Sequence, residues 1–321
     1  SMIAKKKDMP CSAKSAKESK LKKLRNYWFG NMNTGVLTNA DMKRGKYIIL
    51  YSVLALFMVC CVLMVLVPSV WMILMGFKSA SEMYQTPVTF FPKEFDFSKL
   101  GKIWNQMKFV KTYKNTLIMA LGAVASDVIV CGLAGYVLSR LKPKGHKVVY
   151  TVLFCMMLLP GTMRLVPLYK MFIDFPVLHI NMMNTYLPMW IMTGSAIFDI
   201  MLFKTTFDGV SDSLVEAAKV DGASNIRIFL QIMVPLSVPV IVTAAIFTFN
   251  FQFGSFLWPM LILRDESKLV LGLQIYKLKT STLTMDYRMI AMLFSILPQL
   301  IVFAISQKHI MGGINIGGVK G

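Results

Sequence analysis

Long runs without a charged side chain constrain the fold of this chain more than any other sequence feature. Residues 47–77 contain no Lys, Arg, Asp or Glu, and residues 228–263 contain none over 36 positions. A helix that crosses the hydrocarbon core of a bilayer needs about 20 mostly apolar residues. Of all residues 55% are hydrophobic and only 16% are charged, whereas soluble domains have about 25% charged residues. The sequence therefore predicts an all-α integral membrane protein and argues against a water-soluble enzyme.

Six apolar runs follow one another along the chain. Counting one crossing in each predicts six transmembrane helices, with the excess length before Pro235 interpreted as part of a cytoplasmic element. The runs are residues 47–77, 116–139, 148–169, 175–198, 228–263 and 289–307.

The charge distribution predicts the orientation. The net charge is +19, and the first 46 residues hold 12 of the 35 basic residues with three acidic ones. A basic flank before the first span favours a cytoplasmic N-terminus, and six crossings return the C-terminus to the same side. Seven lysines in residues 78–114 then lie outside, against the rule, but the first span usually dominates. This position of the basic residues favours a membrane protein over a nucleic-acid binder.

These predictions divide the chain into five parts. They are a basic cytoplasmic N-terminal segment (1–46), a first transmembrane helix (47–79), an extracytoplasmic loop (80–114), a five-helix core (115–308) and a Gly-rich cytoplasmic tail (309–321).

Residues 207–239, between the fourth and fifth runs, read FDGVSDSLVEAAKVDGASNIRIFLQIMVPLSVP. Ser213 and Glu216 have the spacing of a capping box, which can start a helix. Gly222 provides a stop, because glycine accepts the left-handed conformation after a last helical turn. A second helix is expected to begin near Ser224. The pattern predicts a short cytoplasmic helix between spans four and five.

Small and acidic side chains suit this short helix for docking. Ala217 and Ala218 allow a partner's backbone to come close, and Glu216 offers a carboxylate for a charge-assisted hydrogen bond to Arg or Lys. A helix docked in a partner's groove can transmit rigid-body motion. By periodicity alone, an ordinary amphipathic surface helix is the favoured interpretation.

The spacing of Glu216-Ala217-Ala218, Gly222 and Ile232-x-Val234-Pro235 resembles the EAA loop of ABC importer permeases, E-A-A-x3-G-x9-I-x-L-P. Only Val234 departs from that pattern. The resemblance implies that this segment is a coupling helix seated in a cleft of a cytoplasmic ATPase subunit. It assigns ATPase coupling to Glu216, Ala217, Ala218, Gly222 and Pro235.

Further short matches occur in the order expected for the carbohydrate, maltose-type branch of these permeases. They include LAGYVLSR at 133–140, FLWP at 256–259 and GGVKG at 317–321. The resemblance implies a permease subunit that passes a sugar or oligosaccharide to the cytoplasm by alternating access. The implied partners are a second permease subunit in a heterodimer, two ATPase subunits, an extracytoplasmic solute-binding protein and membrane lipid.

Two polar residues within the apolar runs, Asp127 and Asn250, are candidates for the translocation pathway. An acidic residue at the centre of a membrane helix costs about 2.5–3.5 kcal/mol, so Asp127 is expected to face the bundle or an aqueous cavity. A pathway group and a simple interhelical hydrogen bond explain it equally well. Asp199, at the end of a run, is expected to be interfacial.

No catalytic residue, cofactor or metal site is predicted on this chain. G-x4-G-K-[ST] is absent from the sequence, so ATP and Mg²⁺ are expected on the partner ATPase. The histidines are isolated from acidic partners, and the five cysteines form no CxxC pair. Two alternatives remain: a permease of the same superfamily for a peptide, amino acid or other solute, and a proton-coupled secondary transporter that uses Asp127.

Overall fold

The computed structural model describes residues 45–314, except residue 177 and residues 279–280. Nearly all of the predicted N-terminal segment 1–46 and the last seven residues of the predicted tail 309–321 lie outside the described residues. Within the described part the chain is α-helical, as predicted, and its isolated bridge joins Phe175 to Ile180.

The described part of the chain forms fourteen helices, numbered in chain order. They are α1 Gly45–Phe77, α2 Ala80–Met83, α3 Ser98–Gln106, α4 Phe109–Leu141, α5 His146–Met157, α6 Leu165–Ile173, α7 Leu187–Gly194, α8 Ile197–Asp208, α9 Asp212–Val220, α10 Asn225–Leu236, α11 Val238–Gly254, α12 Leu257–Ile262, α13 Leu271–Lys277 and α14 Met285–Ile314. Two further 3-10 turns cover Gly161–Arg164 and Glu266–Lys268. Three segments have π geometry: Asp127–Cys131 and Val137–Leu141 in α4, and Phe229–Met233 in α10.

Three helices are long and apolar enough to cross a bilayer, namely Ile49–Phe77 of α1, α4, and Met285–Gln307 of α14. Three further crossings are possible if each of three bent helix pairs counts as one. The pairs are His146–Met157 with Gly161–Ile173, bent by 105°; α7 with α8, bent by 41°; and α10 with α11, bent by 79°. The described residues therefore supply three to six crossings, and the count of six stays a prediction.

Proline and glycine stand at the bends. Pro160 precedes Gly161, Gly194 ends α7, and Pro239 is in the first turn of α11. A proline lacks the N–H that continues a helical ladder, so it is tolerated in the first turn and interrupts a helix elsewhere. The bend before α11 divides the long uncharged run 228–263 into two helices.

The chain before α7 is irregular, although residues 175–198 were predicted as a span. Asn184 has a left-handed backbone (φ 59°). Its Oδ1 accepts hydrogen bonds from the backbone N–H groups of Arg264 and Asp265, at 3.3 and 3.1 Å. This amide therefore stabilises a loop within a stretch that carries no Lys, Arg, Asp or Glu. Absence of charge does not by itself specify a helix.

The chain divides into two compact units, Ser1–Ser69 and Val70–Gly321. In the first unit, the described residues are the N-terminal part of α1, and the large aliphatic side chains from Ile49 to Val67 are exposed. In the second unit, one buried cluster joins α4, α8, α9, α10 and α11. Its members are Cys131, Tyr136, Leu138, Ile200, Phe203, Phe207, Val215, Ile228, Phe229, Met233 and Ala244.

Helices α4 and α8 approach closely at Gly135. A Cβ atom built on this glycine would lie 2.7 Å from the Cβ of Phe203 and 2.9 Å from the backbone nitrogen of Lys204. Real Cβ atoms do not approach backbone so closely, so only glycine fits here. This contact sets the spacing of the two helices that lead to α9.

Candidate functional site

The short helix predicted between spans four and five is α9. Its N-cap is Ser211, with an extended backbone (φ −61°, ψ 133°), and its first residue is Asp212. The predicted capping box of Ser213 and Glu216 is therefore wrong, because the helix begins before Ser213. The hydroxyl of Ser213 lies instead 2.7 Å from that of Ser211. Asp212 in the first turn suits the positive end of the helix dipole.

The end of α9 forms as the sequence predicts. Gly222 is left-handed (φ 78°). Its N–H donates to the carbonyl of Lys219 at 3.0 Å, and the N–H of Ala223 donates to that of Ala218 at 2.9 Å. These are the two bonds of a Schellman motif. The next helix, α10, then starts with the Ser224 hydroxyl accepting from the N–H of Arg227 at 3.3 Å, which confirms the predicted second helix.

One buried side chain, that of Val215, packs α9 into the bundle. Glu216 and Ala217 are exposed, Ala218 is half-buried, and Val220 is 87% exposed. Glu216 makes no ion pair with any residue that the structure describes. The outer face of α9 therefore offers small apolar groups and an unneutralised carboxylate.

Arg140, in the last turn of α4, attaches α9 to the bundle. Its guanidinium donates to the carboxylate of Asp212, to the carbonyl of Phe207 at 2.5 Å, and to the carbonyl of Val210. These acceptors belong to the first turn of α9, the last turn of α8 and the connection between them. The planar guanidinium of an arginine presents five N–H donors in a fixed fork, so one side chain can serve acceptors on several elements in a defined geometry.

Two neighbours of Arg140 complete the attachment. The Ser139 hydroxyl donates to Asp208 at 2.6 Å, and Asp208 also accepts from Lys204 at 2.6 Å. The Tyr136 hydroxyl donates to the carbonyl of Asn225 at 3.2 Å. The end of α4 thus contacts the elements before and after α9. Sequence reasoning missed these roles; the available signal was the polar Ser139-Arg140 pair closing an apolar run.

The predicted coupling residues do not all lie together. Glu216, Ala217 and Ala218 are on α9 and Gly222 directly follows it. Pro235 is exposed near the bend between α10 and α11, outside α9. It follows the π segment Phe229–Met233 and therefore belongs to the bend that leads into α11, not to the outer face of α9.

Asp127 is fully buried, and Thr248 of α11 donates to its Oδ2 at 2.8 Å. The carboxylate therefore forms the interhelical hydrogen bond that the sequence allowed, while its Oδ1 has no hydrogen-bond partner. Asn250 is half-buried on α11. Two residues along a helix correspond to a rotation of about 200°, so Asn250 and Thr248 face different directions. The structure does not bring the two pathway candidates together.

A cleft of about 270 Å³ opens beside this hydrogen bond. It lies between the segment that joins α7 to α8 and the C-terminal half of α11. Asp199, half-buried at the start of α8, is the charged residue in its lining. From the sequence, Asp199 is expected at an interface and is not a candidate for the pathway.

The histidines are not all isolated from acids. His179 Nδ1 lies 3.0 Å from Asp174 Oδ1, and both side chains are largely exposed. This pair lies in the irregular chain before α7, and neither residue lines the cleft. No group of three or more His, Cys, Asp or Glu side chains suited to a metal ion occurs among residues 45–314 outside the gaps.

Comparisons with known proteins agree with this geometry. The sequence profile for "Binding-protein-dependent transport system inner membrane component" matches residues 129–315. The chain is 27% identical over 260 residues to the diacetylchitobiose uptake system permease protein NgcG of Streptomyces coelicolor, covering 79% of this chain and 83% of that one. It is 27% identical over 294 residues to the galactooligosaccharides transport system permease protein GanQ of Bacillus subtilis, covering 88% and 99%.

A solved structure has the same fold. It is the crystal structure of a bacterial ABC transporter involved in the import of the acidic polysaccharide alginate, with a TM-score of 0.69 and 25% sequence identity. The match covers 86% of this chain and 99% of that chain.

Proposed function

We propose a transport mechanism for this chain from one premise: it belongs to the family of binding-protein-dependent transport system inner membrane components. The chain is thus a permease subunit of an ABC importer, a multi-pass protein of the plasma membrane and not itself an enzyme. The resemblance drawn from the EAA loop is confirmed at the level of the family. The solute, the partners and the coupling residues are the proposal.

The solute we propose is a sugar or oligosaccharide. The names of the two curated relatives specify oligosaccharide substrates, and each match covers more than three quarters of both chains. The structural neighbour serves a polysaccharide importer. A permease for a peptide, amino acid or other solute remains the alternative that transport assays must exclude.

The structure of α9 is the observation that supports the mechanism. It is a short, capped helix with one buried anchor, Val215, and an outer face that presents Glu216 and Ala217. Such a helix fits a groove in a partner and passes rigid-body motion through its attachments. Arg140 connects α9 to α4, and the hydrogen bond of Tyr136 connects α4 to α10.

The assembly we propose has two permease subunits, this chain and a different partner, with two ATPase subunits on the cytoplasmic side. Both termini and α9 are cytoplasmic, and ATP and Mg²⁺ bind to the ATPases. A binding protein delivers the solute from outside, in keeping with the family's description. Because linkage is reciprocal, docking of the loaded binding protein favours ATPase closure and stimulates hydrolysis.

A charge reversal tests this mechanism. Glu216→Lys in the assembled transporter should abolish hydrolysis stimulated by the binding protein and leave the amount of protein in the membrane unchanged. Asp174→Lys makes the same charge change at an exposed carboxylate away from α9, and it should retain stimulation. Full stimulation in Glu216→Lys would contradict the role of α9.

A second measurement separates this mechanism from proton coupling. Vesicles that contain this chain without its partners should take up no saccharide, with or without a proton gradient. Uptake driven by the gradient would instead support a secondary transporter that uses Asp127.

A further inference from the structure

The cleft beside Asp127 has the composition of a ligand site. Six of its twelve lining residues are aromatic or sulfur-containing and five are polar, a mixture that suits a small-molecule site. The four aromatic members come from α8, α11 and α12, and they are Phe198, Phe247, Phe251 and Trp258. Flat apolar faces of this kind suit the C–H faces of a sugar ring.

One polar side chain of the cleft, Gln252, lacks a donor for its carbonyl oxygen. Gln252 is 3% exposed and lines the cleft, yet its Oε1 accepts no hydrogen bond. Behind the wall, Oδ1 of Asp127 is also without a partner. The Thr248 hydroxyl already donates to Asp127, so it cannot supply either oxygen. A buried acceptor without a donor costs free energy, and a hydroxyl-rich ligand would supply a donor at the wall that Gln252 forms.

The charge of the cleft has one sign. Asp199 lines it without an ion pair to any described residue. No Lys, Arg or His is among the lining residues. In surroundings of low polarity, a carboxylate without a cation repels anions and leaves neutral hydroxyl donors unaffected.

We propose that this cleft binds an uncharged saccharide and rejects saccharides that carry carboxylate, sulfate or phosphate groups. The inference rests on the proposed function, since it names the substrate class of that same transport. It also separates this chain from its structural neighbour, whose transporter imports an acidic polysaccharide. The shared fold therefore does not determine whether the transported solute is charged. The residues of the cleft determine it.

Thiol labelling measures the field in the cleft directly. Ser255 lines the cleft, so Ser255→Cys is introduced into the assembled transporter with cysteines 11, 60, 61 and 155 replaced by serine. The buried Cys131 is kept, and the parent without Ser255→Cys reports its background. A cationic and an anionic methanethiosulfonate are compared, each rate being divided by the reagent's rate with a free thiol.

The cationic reagent should react roughly tenfold faster after this correction. Asp199→Asn should bring the corrected ratio close to one, and Asp199→Glu should preserve it. Asp174→Asn, the matched loss of an exposed carboxylate outside the cleft, should leave the ratio unchanged. Equal corrected rates with Asp199 in place would overturn the inference.

Protection against labelling then identifies the ligand class. The probes are a panel of uncharged di- to tetrasaccharides and a size-matched panel of uronate oligomers. At least one uncharged saccharide should slow the labelling of Ser255→Cys at least threefold, and no uronate oligomer should. Protection by uronates, or by neither panel, would overturn the inference. The proposed function is judged separately, by stimulated ATP hydrolysis in the same preparation, so the two failures are distinguishable.

Discussion

The guanidinium of Arg140 and the carboxylate of Asp212 join the end of α4 to the first turn of α9. The two partners differ sharply in exposure: 9% for the Arg140 side chain and 82% for that of Asp212. An ion pair that is open to water on one side contributes little. The bonds from Arg140 to the carbonyls of Phe207 and Val210 are less accessible and hold the main chain itself.

This difference predicts unequal effects of two substitutions. Arg140→Gln should reduce stimulated ATP hydrolysis at least tenfold, because hydrogen bonds to a charged group contribute about 1.5–3 kcal/mol each. Asp212→Asn should change it less than about threefold, as expected for an exposed pair. Hydrolysis by the assembled transporter with loaded binding protein provides the measurement. Equal losses in the two variants would show that the ion pair, and not the carbonyl bonds, holds α9.

The buried anchor of α9 gives a second prediction. Val215→Ala removes two methyl groups from a packed site and should weaken local docking by about 2 kcal/mol. Hydrogen exchange of the α9 amides in the assembled transporter should accelerate accordingly. Leu214→Ala, at a neighbouring side chain that is 50% exposed, should change the exchange free energy by less than about 0.5 kcal/mol. Similar acceleration in both variants would argue against a single anchor.

A third prediction concerns the spacing of α4 and α8. Gly135→Ala places a methyl group against the backbone of Lys204 and should destabilise the protein by about 1–3 kcal/mol through overpacking. Gly101→Ala, in α3, meets no atom within 4 Å and should be neutral or slightly stabilising, since alanine favours helix. Thermal unfolding of the purified transporter compares them. A Gly135→Ala protein as stable as Gly101→Ala would mean that the helices separate without cost.

A buried ion pair supplies the fourth prediction. Lys99 Nζ of α3 lies 2.5 Å from Asp286 Oδ2 of α14, and it also donates to the carbonyl of Lys78 at 2.6 Å. Lys99→Met should cost about 3–5 kcal/mol, because it leaves Asp286 buried without a counter-charge. The double variant Lys99→Met/Asp286→Leu should regain most of this loss. Additive losses in thermal unfolding would contradict the coupling.

The parts of the site that the sequence predicted are those built by neighbours in the chain. The stop at Gly222 and the start after Ser224 depend on residues within one turn of each other, so their chemistry is visible in the sequence. The attachment at Arg140 is not visible in the sequence, because its acceptors lie about 70 residues further along the chain. The same is true of Asp127, whose Thr248 partner comes from another helix.

The all-α fold and its membrane character were predictable from the uncharged runs, but the helix boundaries were less so. Residues 175–186 have the composition of a span, yet Asn184 holds them in a loop through hydrogen bonds to residues after α12. The start of α9 was predicted too late, because the local Ser213–Glu216 pattern competed with Ser211. In each case a tertiary or neighbouring polar contact outweighed a local pattern.

Helix α4 carries both Asp127 and Arg140, so a movement of this helix moves both residues. At 1.5 Å per residue these two positions are about 20 Å apart on one helical axis. Each lies in a π segment, Asp127–Cys131 or Val137–Leu141, a distortion often found at functional sites. Axial rotation of this one helix would turn the Asp127 side chain behind the proposed saccharide cleft and the guanidinium that holds α9 in the same step, with no loop rearranging between them.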